Sequence, residues 1–201
     1  FNPVLLGKHQ DCLKLPIYKG WQTAVYTPVQ LSRWPAGHNV GIRCGRQRNG
    51  RFLLVFDFDE EADRIFPAWQ AEAVKIVDCD LVIVTSGRGY HVYFYVPDEM
   101  GSRTLAARRV EVNGRARLRK YIETIGRRKQ IVSAGSRHPN GRQYQFYGAA
   151  SYEDIPAINM KQLSDLTRLA RRFDVRPILM PKPKPKFNTF IKTPANIQNC
   201  L

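Results

Sequence analysis

Five apolar residues in a row, Phe52-Leu53-Leu54-Val55-Phe56, run directly into Asp57-Phe58-Asp59, and this junction constrains the fold more than any other feature of the chain. The run is short and rich in strand formers, so it reads as a central strand covered on both faces. Side chains two apart on a strand point the same way, so its end presents Asp57 and Asp59 together. Hard divalent cations favour such carboxylate oxygens, and a pair of ions can clamp both the attacking and the leaving oxygen of a phosphoryl transfer. In the competing reading Asp59 caps a following helix, and an isolated D-x-D does not decide between the two.

The flanking sequence supplies partners for that strand. Pro67 suits the first turn of a helix that continues from Ala68 to Val77. Leu81-Val82-Ile83-Val84-Thr85 and His91-Val92-Tyr93-Phe94-Tyr95-Val96 read as a hairpin across the Ser86-Gly87-Arg88-Gly89 turn. Val110-Glu111-Val112 leads into a tight Asn113-Gly114 turn, and Tyr121 to Ile125 with Gln130 to Val132 suggest a second hairpin around Gly126-Arg127-Arg128-Lys129. A strand over Gln143 to Tyr147 follows the polar turn His138-Pro139-Asn140-Gly141. Leu163, Leu166, Leu169, Ala170 and Phe173 recur three or four apart, which predicts an amphipathic helix within Ile158 to Phe173, ended by Pro177. Residues 1 to 38, broken by prolines and glycines, read as loops and short helices. The expected class is α/β (α+β), with a mixed or antiparallel sheet flanked by helices. The domain is expected to span 1–180. The alternating Pro181-Lys182-Pro183-Lys184-Pro185-Lys186 then opens an extended linker and tail over 181–201.

Charge narrows the partner. Among 201 residues, 32 Lys and Arg face 17 Asp and Glu, a formal net charge of +15 that favours a polyanion. Cys12, Cys44, Cys79 and Cys200 are scattered without zinc-site spacing and read as reduced thiols. No apolar stretch reaches the about 18 residues that a membrane-spanning helix needs, and no secretory signal is present, so the expected compartment is the cytoplasm.

Two loops carry groups suited to phosphate. Ser86-Gly87-Arg88-Gly89-Tyr90-His91 combines glycines for close backbone approach, a permanent cation in Arg88 and an imidazole that can donate. Ser133-Ala134-Gly135-Ser136-Arg137-His138-Pro139 gathers hydroxyl, guanidinium and imidazole groups. Either is equally readable as an ordinary polar turn. Trp21 and Trp34 could stack bases but read more simply as packing residues.

Taken in order, Asn39-Val40-Gly41-Ile42 with Gly45, Leu54 to Asp59, Ser86 to Phe94 and Gly135-Ser136-Arg137-His138-Pro139-Asn140-Gly141 resemble the prim-pol branch of the archaeo-eukaryotic primase superfamily, the type found in replication proteins of plasmids, phages and mobile elements. The resemblance implies a catalytic fold with an RRM-like sheet and a nucleotidyltransferase acting as DNA primase, DNA polymerase or both. It implies two Mg²⁺ or Mn²⁺ ions, with a DNA template, a primer strand and nucleoside triphosphates as partners, and a helicase domain or partner as a further expectation. By the same resemblance the first motif falls on Asp57 and Asp59 and the second, a triphosphate-contacting histidine, on His91. Arg88, Ser86, Ser136 and His138 join His91 in the nucleotide seat. Many relatives have a serine two residues before the histidine, where this chain has Gly89. The third motif is one acid on a strand, with Glu111 and Glu123 as candidates; Glu123 is favoured because it directly precedes the Gly126 to Val132 segment and the Gly-Ser-x-His-Pro loop. Basic segments around Arg103 to Lys129 are expected to track template phosphates.

Two further functions are weighed: the motifs do not exclude an end-joining repair polymerase of the same superfamily, whereas the intact Asp57, Asp59 and His91 set argues against a primase-like binding module that has lost catalysis. A replication-initiator nickase is disfavoured, since His91-Val92-Tyr93 lacks the second histidine of its metal pair.

Overall fold

The computed structural model describes residues 1–9 and 13–176. Its α+β architecture has two sheets. The smaller pairs β1 (Pro3–Leu5), β2 (Val40–Arg43) and β9 (Gln130–Val132). The larger contains β3 (Gly45–Arg46), β4 (Phe52–Phe58), β5 (Val82–Thr85), β6 (Tyr90–Val96), β7 (Arg103–Val112), β8 (Arg115–Ile125) and β10 (Gln145–Phe146), with spatial order β10-β5-β6-β4-β8-β7 and β3 alongside the start of β4. Every ladder in it is antiparallel, so the sheet is not mixed. Strands β4 and β5 flank β6 and are joined by helix α2 (Ala62–Val77), the split βαβ arrangement of an RRM-like core.

Strict alternation divides the large sheet into two faces. Leu54, Phe56 and Phe58 of β4 and Val92, Phe94 and Val96 of β6 pack against α2 and α3 (Met160–Arg171), forming a dry core around Trp69. Leu53 and Val55 of β4, with Tyr93 and Tyr95 of β6, point the other way and are covered by the small sheet through Val4, Leu6, Ile42, Ile131 and Val132. That cover stops short of Asp57, which leaves the end of the strand open.

Several boundaries differ from the sequence reading. Helix α2 begins at Ala62 and carries Pro67 in its interior, because Ala62, Ile65, Phe66, Trp69, Ala73 and Val77 form a continuous buried stripe. Burying Ile65 and Phe66 outweighs the lost backbone bond, about 3 kcal/mol for an interior proline. Strand β9 pairs with β2 rather than β8, so the expected second hairpin is instead a crossing between sheets. Residues 1–38 include β1 and the capped helix α1 (Pro28–Ser32). The β7–β8 turn at Asn113-Gly114 is as expected, with both residues at positive φ (52° and 70°). Helix α3 ends at Arg171 with Arg172 as its C-cap, ahead of the expected stop at Pro177; Pro177 and the Pro/Lys tail lie outside the described residues, as do Cys12 and Cys200, while Cys44 is buried and Cys79 exposed, both free.

The β7–β8 pairing contains two offset bulges. Register steps from Thr104↔Glu123 to Ala106↔Ile122 and then to Ala107↔Lys120, so Leu105 and Tyr121 are each an extra residue. A bulge of this kind flips the alternation of the strand that bears it. Tyr121, which simple alternation puts on the face of Glu123, turns to the helix side and donates its hydroxyl to Glu61.

Candidate active site

The open end of β4 gathers the acids and histidine expected of the site. In the ladders on either side, Asp57 stands directly opposite His91 on β6 and opposite Glu123 on β8. Directly opposed residues on neighbouring strands share a face and bring their Cβ atoms within about 5.5 Å. Strand pairing alone therefore sets His91, Asp57 and Glu123 in one row, and the Tyr121 bulge lies just beyond it. Glu111, the other candidate acid, pairs with Ala116 near the far turn of the β7–β8 hairpin.

Asp59 follows the last residue of β4, held by its backbone N–H donating to Tyr121 O. With Asp57 and His91 it lines a small cleft together with Ser86, His138, Lys14, Tyr144 and the β9 residues Gln130 to Val132. At about 160 Å³ the cleft is smaller than the roughly 300 Å³ or more of typical small-molecule pockets and suits a phosphate group or ions rather than a whole nucleotide. His138 also borders a wider depression of about 590 Å³ lined by Lys8, Arg137 and Gln143, and Asp59 one of about 480 Å³ with Arg64 and Arg88.

Burial and mutual repulsion tune the groups. Asp57 is pushed up to about 7, first by burial and then by the negative charges of Asp59 and Glu123, with Lys14 and Lys120 pulling the other way. His91 falls to about 3 through burial and the nearby cations, so its imidazole is neutral. Its Nε2 lies 3.6 Å from Asp57 Oδ1, and its ring stacks on Tyr144 with centroids 5.4 Å apart. The buried Nδ1 has no hydrogen-bond partner. Lys14 is lowered by burial, an effect opposed by Asp59 and Asp57. The His138 Nδ1 accepts from Asn140 N–H, and its pKa is lowered by burial and by Lys14.

The carboxylates are partly engaged by cations of the chain itself. Arg88 reaches Asp59 at 3.3 Å and Glu60 at 3.2 Å, while Glu123 pairs with Lys120 at 2.8 Å and accepts from Thr104 Oγ1 at 3.0 Å. With the side chains so placed, no group of three or more His, Cys, Asp or Glu among the described residues converges on a metal position. The donor chemistry nevertheless fits a hard divalent cation: three carboxylates share one face, and burial together with the charges of Asp59 and Glu123 raises Asp57.

Glu123 and Arg88 do not line the cleft itself, Arg88 bordering instead the depression beside Asp59, and two further positions depart from expectation. The Ser136 hydroxyl donates to Val40 O and accepts from Val40 N–H, each at 3.0 Å, so it ties its loop to β2 and does not line the cleft. At Gly89 a Cβ would strike the carbonyl oxygen of Phe58, so the backbone approach that closes β6 onto the end of β4 requires glycine there. Ser86, buried and lining the cleft, is the serine nearest to Gly89 in sequence.

Lys14 and Tyr144 are the site residues that sequence reasoning missed. Neither belongs to a local motif: Lys14 arrives from the N-terminal loop, and Tyr144 from the segment before β10, anchored by backbone bonds to Gly135 and Ser136. Only the Ser133–Pro139 loop hinted that this region returns to the cleft.

The family model for the N-terminal domain of bifunctional DNA primase/polymerases matches residues 4–159, a span that contains every cleft-lining residue. No curated protein matches the chain.

Proposed function

The chain belongs to the bifunctional DNA primase/polymerase family, whose chemistry is nucleotidyl transfer, and from that premise we propose that it performs template-directed DNA synthesis at the cleft around Asp57. The observation that carries this reading is the row His91, Asp57, Glu123 across three adjacent strands, with Asp59 at the open end of β4. Asp57, Asp59 and Glu123 are the residues that would hold Mg²⁺ or Mn²⁺, which when bound supplies charge neutralisation at the reacting phosphate. Release of Asp59 from Arg88 and of Glu123 from Lys120 frees both carboxylates for that task, and both cations for the phosphates.

His91 is preset to donate. A neutral imidazole with a protonated Nε2 presents an N–H donor to a phosphate oxygen, and stacking on Tyr144 fixes its plane. Lys14 and His138 line the same space, Arg88 stands at its edge on Asp59, and the three complement the triphosphate charge. The cleft holds phosphate only, so sugar and base rest in the wider depressions beyond Asp59 and His138. In the transfer, the primer 3′ hydroxyl, or that of an initiating nucleotide, attacks the α-phosphorus in line. The bond to the bridging oxygen breaks, and pyrophosphate leaves. Positioning and charge neutralisation supply the rate, with no protein nucleophile.

The test is incorporation of labelled nucleotides on a primer–template and on an unprimed template, in Mg²⁺ and in Mn²⁺. Asp57→Asn with Asp59→Asn should reduce incorporation by at least about 1,000-fold and leave template affinity within a few fold, because the ligands are lost and the basic surface is kept. Incorporation retained by that double variant would overturn the assignment. Template binding by the unaltered chain with no incorporation under any of these conditions would favour a binding module that has lost catalysis.

A further inference from the structure

Beyond Lys120, strand β8 leaves the sheet and pairs only with β7 among the described residues, so Ala107–Val112 and Arg115–Lys120 form a two-stranded ribbon that is solvent-exposed along β8. Its charge is one-sided. Opposed pairs Arg108↔Arg119, Val110↔Arg117 and Val112↔Arg115 set four arginines and two valines on one face, with no acid. The other face carries Arg109↔Leu118 and Glu111↔Ala116, with Lys120 turned towards Glu123. This asymmetry is a product of the Tyr121 bulge, which shifts Arg115, Arg117 and Arg119 away from the face of Glu123.

We infer that the arginine face of this ribbon seats the backbone of a DNA duplex. For which duplex it is, namely template paired with the growing strand, the inference rests on the function proposed above; the surface itself is argued from charge and shape. Three observations favour double-stranded over single-stranded DNA. A two-stranded β-ribbon has the width that a B-form major groove admits. Single strands are held on exposed aromatic platforms, and the ribbon from Ala107 to Lys120 contains no Phe, Tyr or Trp. Arginines at every second residue of β8 from Arg115 to Arg119, about 6.8 Å apart along the strand, suit a regular phosphate line rather than a flexible one.

The base of the face is linked to the rim of the cleft by a chain of ion pairs. Arg119 lies 3.7 Å from Glu60, Glu60 lies 3.2 Å from Arg88, and Arg88 lies 3.3 Å from Asp59. Arg108 likewise lies 3.6 Å from Glu61. The two arginines nearest the body are thereby held by acids at the start of α2, whereas Arg115 and Arg117 lie farther along the ribbon towards its turn. The contact is sequence-independent, since arginines on phosphate fix position without reading bases.

The experiment compares a fluorescent blunt duplex with a single strand of the same length, binding the full chain without nucleotide or divalent metal. Arg115→Ala with Arg117→Ala should weaken the duplex by at least about tenfold and flatten its log K against log salt slope by about 2, leaving the single strand within about twofold. Lys75→Ala, which removes an exposed charge on α2 away from the ribbon, should leave both unchanged, and matching thermal unfolding of all three proteins shows that the fold is retained. Duplex affinity within about twofold of the unaltered chain, or an equal loss for both ligands, overturns the inference. Absence of nucleotide incorporation with the duplex pattern intact would count against the polymerase reading alone.

Discussion

The two faces of strand β4 are built from neighbouring residues and do opposite work. Leu54, Phe56 and Phe58 point to α2, where Phe56 and Phe58 meet Trp69 with ring centroids 5.6 and 4.9 Å apart in a largely aromatic and aliphatic core. Leu53, Val55 and Asp57 point to the small sheet, and the apolar cluster on that face of β4 ends at Val55, two residues before Asp57. The first face gives rigidity. The second uses that rigidity to hold carboxylates together, and Asp57 is raised there first by burial and then by the charges of Asp59 and Glu123. Substitutions on the helix face should therefore be read in stability, and those on the cleft face in activity.

The largest effect should come from the helix face. Trp69 is fully buried between the sheet and the helices, so Trp69→Ala should lower unfolding stability by about 3–5 kcal/mol in chemical denaturation. A loss under about 1 kcal/mol would mean that the two faces are not divided as described. Next in size, Glu123→Gln should reduce incorporation by about 100-fold, near 2.7 kcal/mol of barrier, and raise the Mg²⁺ concentration needed for half-maximal rate. Glu111→Gln, well down the ribbon opposite Ala116, should change incorporation by less than about twofold. Equal effects at the two positions would remove the special standing of the row opposite Asp57.

How much of this was legible depends on the range of each interaction. The β4 run with its two aspartates, the β5–β6 hairpin with His91 and the Asn113-Gly114 turn are local patterns, and each stands where the sequence placed it. The choice of Glu123 over Glu111 followed from motif order, and the structure sets Glu123 opposite Asp57. What escaped was non-local. Burial of Ile65 and Phe66 overrode the proline signal that delayed the start of α2, and β9 left its apparent hairpin partner for β2. The bulge at Tyr121 could not be seen either, because alternation carries no mark of an extra residue until the partner strand is known. Lys14 and Tyr144 enter the cleft from distant loops, and no spacing rule joins them to Asp57.

The smallest effect concerns the cost of the cleft itself. Burial and two neighbouring carboxylates raise Asp57 to about 7, so the folded chain binds that proton more tightly than the unfolded chain does near 3.8. The sign follows from linkage: stability associated with the group is full below the unfolded value and is lost as pH rises through about 7. Above neutrality the fold carries a charged, poorly solvated carboxylate facing others. Asp57→Asn keeps the shape and removes the charge, so without divalent metal it should raise the melting temperature by a few degrees at pH 8 and by much less at pH 5, where the native carboxyl is already protonated. Added Mg²⁺ should narrow the gap at pH 8 by stabilising the unaltered chain and not the variant. If Asp57→Asn instead melts lower at pH 8 than the unaltered chain, the carboxylate is held by favourable contacts, and the cleft face stores no repulsion for a cation to relieve.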